Sequence, residues 1–107
     1  MNIIDNRRST PRISTLFSVD VSGDGGNFAI DIGTGGLKLV SAYPLSEEEQ
    51  EFRLHLGPEH KVTLMGRPVW QQQMTSGGKT VAGITFRVGQ DEARESLRDW
   101  LENYRPN

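Results

Sequence analysis

The chain has 107 residues, enough for one core without staples, and it has no cysteine. That removes disulfide frameworks and thiolate metal sites and makes a reducing cytoplasm the expected setting. Twelve Lys and Arg against fourteen Asp and Glu give a net charge of -2 at pH 7, which argues against general DNA or RNA binding, and no apolar run approaches the roughly 18 residues that cross a bilayer, so neither membrane insertion nor secretion is expected.

The first informative stretch is a basic arm in which Arg7, Arg8 and Arg12 put three guanidiniums within six residues, with Pro11 before the last. Charges like these are not buried unpaired, so the arm either stays in water as a solubilising tail or meets an anion. Arginine in all three places suits planar, two-pronged partners such as a phosphate or the acceptor edge of guanine. Because the basic charge is local on an acidic chain, the expected anion is small.

Strand periodicity begins over residues 14–21, with Phe17, Val19 and Val21 on one side and Ser18 and Asp20 on the other. Residues 22–27 read as a turn, and Phe28, Ile30 and Ile32 alternate again, completing a hairpin. Asp31 leads into a glycine-rich turn over residues 33–36, and Leu37, Lys38, Leu39 and Val40 resume the β pattern. Glu47, Glu48 and Glu49 read as a solvated run on a loop. Phe52, Leu54 and Leu56 alternate with Arg53 and His55 before Gly57 and Pro58. From Lys61, Val62 and Leu64 hold one parity and Val69 and Gln71 the other, a phase change that predicts a bulge or bend in a long strand. After a turn at residues 75–78, Val81, Gly83, Ile84 and Phe86 form the returning strand, with Gly83 marking a close backbone approach. The period then changes: Ala93, Leu97, Trp100, Leu101 and Tyr104 recur at helical spacing, with Asp91 as the expected N-cap and Arg105 near the negative end. The predicted fold is mainly β, a small six-stranded antiparallel barrel with a C-terminal helix over an open end or side. Residues 1–13 form the arm, 14–89 the barrel and 90–105 the helix of one domain.

Catalysis has little support. No serine sits in a nucleophile elbow, no carboxylates pair convincingly, and the glycines of residues 33–36 precede a strand rather than the helix that a Walker loop opens. His55 and His60 read as surface or rim residues, not metal ligands. Trp70 and Trp100 read most simply as core or helix-packing aromatics, with a ligand-lining role as the alternative for Trp70.

Two separated motifs resemble one family. Arg8-Ser9-Thr10-Pro11-Arg12 is similar to the Arg-x-x-x-Arg arm, and Asp31-Ile32-Gly33-Thr34-Gly35-Gly36 to the Asp/Asn-x-Ser-x-x-Gly turn, of PilZ domains, bacterial receptors for cyclic di-GMP. Val69-Trp70 and Gly83-Ile84-Thr85-Phe86 resemble two further strands of the family, and the terminal helix occurs where the family has one. The resemblance implies a non-catalytic receptor with no cofactor. In it the arm folds over a surface turn, Arg8 and Arg12 grip phosphates and guanine edges, and Asp31 accepts from guanine N1 and N2. Gly33 and Gly35 belong to the same turn, and Gly36 is expected to allow its sharp bend and close ligand approach. Arg7 matches the position where a long basic residue favours two stacked ligand molecules over one. The resemblance also implies a downstream protein partner. Gly33 stands where the family has serine, and the missing hydroxyl is expected to weaken binding roughly two- to tenfold unless Thr34 or an amide replaces it. A degenerate adaptor of this fold, acting through protein contacts without nucleotide, is the alternative.

Overall fold

The computed structural model describes residues 16–74 and 77–104. Within them run strands β1 (Phe17–Val21), β2 (Asp24–Ile32), β3 (Gly36–Ser41), β4 (Gln50–Gly57), β5 (His60–Gln73) and β6 (Thr80–Phe86), followed by helix α1 (Asp91–Asn103). The strands close into a barrel in the order β1-β2-β3-β6-β5-β4, every neighbouring pair antiparallel, with β4 returning to β1. Closure pairs every strand with two neighbours, although β5 from Arg67 onward is paired on its β6 side alone.

Alternation decides what the barrel encloses. Val19 and Val21 of β1, Leu37 and Leu39 of β3, Phe52, Leu54 and Leu56 of β4, Val62 and Leu64 of β5 and Ala82, Ile84 and Phe86 of β6 all turn inward. Fully burying side chains of this size stabilises by about 1.5–3 kcal/mol each. Leu97 and Leu101 of α1 join the same buried cluster, and Trp100 packs edge-on against Phe17 with ring centroids 5.1 Å apart. The helix therefore seals the barrel end at which β1 begins.

Three local expectations are corrected. The turn is shorter than residues 22–27: Ser22 (φ 51°) and Gly23 (φ 88°) alone connect the strands, both left-handed as a two-residue hairpin requires, and β2 already begins at Asp24. In β2 the inward residues are Asn27, Ala29 and Ile32, whereas Phe28 is exposed and Ile30 half-buried. The register shifts between Ala29 and Asp31, a bulge that returns Ile32 to the core and leaves Ile30 outside it. Asp91 is not the N-cap. Gln90 holds that place, and its amide instead bonds Met65 N–H (2.7 Å) and Met65 C=O (3.0 Å), tying the start of the helix to β5. Asp91 and Glu92 lie in the first turn, where negative charge suits the helix dipole.

The bulge foreseen in β5 falls between Pro68 and Trp70. Gln71, just beyond it, uses both ends of its amide on the chain between β3 and β4, accepting from Leu45 N–H (2.9 Å) and donating to Leu45 C=O (2.8 Å). That loop is thereby fixed against β5. Among the described residues, no helix is long and apolar enough to cross a membrane.

Candidate functional site

The Asp31 turn is built by β2, β3 and β6 together. Ile32 pairs with Leu37, and between them Gly33 N–H donates to Gly36 C=O at 2.9 Å. Gly35 C=O accepts from Phe86 N–H at 3.0 Å, so the turn is tied to the last residue of β6. Gly33, Thr34 and Gly36 are buried and Gly35 is exposed. Close packing against β6 accounts for glycine at position 36. Its φ is not left-handed, and a Cβ there would lie 2.1 Å from the Ile84 carbonyl oxygen. Glycine is required because the backbone of β6 fills the space a side chain would need. Thr34 in the same turn is buried, at 2% exposure.

Strand register then assembles a site that spacing in the sequence does not reveal. Asp31 of β2 pairs with Lys38 of β3, Lys38 with Gly83 of β6, and Gly83 with Trp70 of β5. These four residues form one row across the outside of the barrel, about 14 Å from end to end at the usual strand spacing. Trp70 is 45% exposed and does not belong to the core. Its indole lies over Gly83, where a Cβ would meet Nε1 at 2.2 Å and Cε2 at 2.6 Å. The close approach marked by Gly83 is therefore that of an aromatic side chain, not of backbone. With no Cβ beneath it the ring lies down on the sheet and turns its other side outward. Trp100 does pack the helix, as expected.

The row thus carries a carboxylate, an ammonium and an aromatic plate on one surface. A carboxylate matches the N1–H and N2–H donors of guanine, an ammonium matches phosphate, and an exposed indole stacks on any base. Sequence reasoning assigned Lys38 no role and Trp70 mainly a packing one. The clue available to it was Gly83, a glycine at an outward position of a strand, which leaves room for a large neighbour.

Arg7, Arg8 and Arg12 lie outside the described residues. The point where their segment joins the barrel is described: Phe17 pairs with Ala29, two residues before Asp31. Arg12 stands four residues before Leu16, a length of chain that reaches about 14 Å when extended. The arm is therefore attached at the end of the barrel that carries the Asp31 turn.

A larger concavity, about 510 Å³, lies at the opposite end between the β1–β2 turn and the chain after β3. It is lined by Ser22, Asp24, Ser41 and Gln50 and, among the described residues, by no Lys or Arg, so it supplies no cation to a phosphate. His55 is occupied elsewhere, its Nε2 2.9 Å from Asp20 Oδ2 on the outside of β4 and β1. Among the described residues, no group of three His, Cys, Asp or Glu could hold a metal ion.

Comparisons with known proteins bear on the same features. The family model of the PilZ domain matches residues 6–103, which include the arginine arm, the Asp31 turn, the Trp70 strand and the helix. Among solved structures, the Bacillus subtilis inhibitor of motility, MotI/DgrA, superposes with a TM-score of 0.70 at 16% identity, over 90% of this chain and 49% of that one. That likeness shows the fold alone, and this chain spans about half the length of its neighbour. Comparison with curated protein sequences gives no match. A six-stranded closed barrel sealed by one C-terminal helix, matched from the arm to the last turn of that helix, places the chain in the PilZ domain family, a family that binds cyclic di-GMP.

Proposed function

We propose that this protein is a non-catalytic cytoplasmic receptor that binds cyclic di-GMP on the outer row of the barrel and relays its presence to a protein partner. The observation that carries this reading is the register that sets Asp31, Lys38 and Trp70 side by side, at the barrel end where the arginine arm is attached. Asp31 accepts from one guanine, Trp70 stacks on a base, and Lys38 adds positive charge beside the phosphates. Arg8 and Arg12 close over the ligand from the arm, and Arg7 favours a second, stacked molecule. Residues 33–36 form the wall of the site, with exposed Gly35 leaving room for the ligand. Ordering the arm on the ligand creates the surface that the partner reads.

The adaptor alternative rests on one observation. Gly33 replaces the family's serine, so the turn lacks the hydroxyl that the family carries at that position. That loss costs about 0.5–1.5 kcal/mol, whereas each charge-assisted arginine contact is worth about 1.5–3 kcal/mol, so the arginines outweigh it. Titration calorimetry of the full chain with cyclic di-GMP tests the receptor reading. Saturable heat with one or two molecules per chain is expected; none at ligand concentrations far above micromolar removes the reading in favour of the adaptor.

A further inference from the structure

We infer that the depression beside Trp70 is a second base pocket selective for guanine, with Glu47 as its recognition group. The inference rests on the receptor reading and extends it to the far side of the site. The depression holds about 280 Å³ and is lined by Glu47, Arg67, Pro68, Val69, Trp70 and Gln71. Its floor is the β5 bulge between Pro68 and Trp70, which turns Val69 and Trp70 outward together.

The chain that carries Glu47 is held in place, and the charged groups of the depression are left unused. The loop bearing Glu47 is fixed two residues earlier by the paired Gln71–Leu45 hydrogen bonds, and two residues later by the Glu49–Arg87 ion pair at 3.0 Å. Among the described residues, neither the Glu47 carboxylate nor the Arg67 guanidinium has a hydrogen-bond or ion-pair partner. A free carboxylate, a free guanidinium and an indole around one depression match guanine group by group. The carboxylate accepts from N1–H and the N2 amino group, the guanidinium donates to O6 or N7, and the indole stacks. Adenine fits poorly, because it turns an unprotonated N1 toward the carboxylate.

Two sources of the base share this chemistry: the far guanine of the molecule held at Asp31, or a guanine of a second, stacked molecule. Stoichiometry assigns the source, one ligand per chain for the first and two for the second.

The test is calorimetry on the full chain with cyclic di-GMP and with the mixed cyclic dinucleotide that carries one guanine and one adenine. The unaltered protein is expected to prefer cyclic di-GMP by about tenfold or more. Glu47→Gln is expected to reduce that preference to within about threefold, since a glutamine amide pairs with adenine as readily as it tolerates guanine. A variant that binds cyclic di-GMP with the original preference overturns the pocket and leaves the receptor reading standing. An unaltered protein that binds neither ligand removes both. Arg67→Ala supplies the second arm: it is expected to weaken cyclic di-GMP about tenfold without lowering Tm, and unchanged affinity rules out the guanidinium as a base contact.

Discussion

The two outer faces of the barrel are built from the same alternating strands and differ in what they leave at the surface. Across β1, β4 and β5, Asp20 pairs in register with Arg53 and Arg53 with Thr63, while Ser18 pairs with His55 and His55 with Lys61. These groups answer one another: Asp20 meets His55 at 2.9 Å, Arg53 Nε donates to Thr63 at 3.4 Å, and Ser22 donates to Gln50 at 3.0 Å. Across β2, β3, β6 and the far half of β5, Phe28 pairs with Val40, Val40 with Val81, and Asp31, Lys38, Gly83 and Trp70 form the adjacent row. Phe28, Val69 and Trp70 stay exposed there, beside a carboxylate and an ammonium. A face whose polar groups are mutually bonded has little to offer a ligand. One that exposes aromatic surface next to charge offers a stacking area that the other face lacks.

Five tests would break or sharpen that contrast. The largest effect is on the fold beneath the proposed binding face. Gly36→Ala pushes a methyl group into the Ile84 carbonyl and is expected to cost about 3 kcal/mol, at the upper end of overpacking, with Tm well below that of Gly35→Ala, whose new Cβ meets nothing within 4 Å. Next come the arm's cations: Arg8→Ala or Arg12→Ala should weaken cyclic di-GMP about ten- to more than a hundredfold in calorimetry while thermal unfolding is unchanged. Trp70→Ala removes a stacking surface worth about 1–3 kcal/mol per base and should weaken binding roughly five- to a hundredfold. Equal affinity would return Trp70 to a merely structural role. Gly33→Ser restores the hydroxyl of the family's turn and is expected to tighten binding roughly two- to tenfold. Smallest is Asp20→Asn on the opposite face, which should leave affinity unchanged and shift stability by no more than about 1 kcal/mol. An affinity change there as large as that of Trp70→Ala would erase the distinction between the faces.

Much of the barrel was legible in the chain because burial imposes a strict period on each strand. β1 and β4 turn the expected residues inward, β3 and β6 form where their apolar runs lie, and the helix appears where the spacing changes. β2 misled because a bulge adds one residue without altering its composition, so Phe28, Ile30 and Ile32 look like one stripe and are not. Trp70 misled for a related reason. Exposed aromatic residues read like core residues when only hydrophobicity is counted, and only the glycine opposite betrays that the ring lies on the surface.

Local sequence by itself determined the strands, the closing helix, the cationic arm and the glycine-rich turn, since each depends on neighbours a few residues away. The tertiary structure alone decided which side chains share a surface. Asp31, Lys38, Gly83 and Trp70 lie on four strands and meet only through cross-strand register, and Glu47 meets Trp70 only because Gln71 fixes the loop before it. Hydrogen-bond pairing between distant strands sets that register, and no local pattern in the chain specifies it.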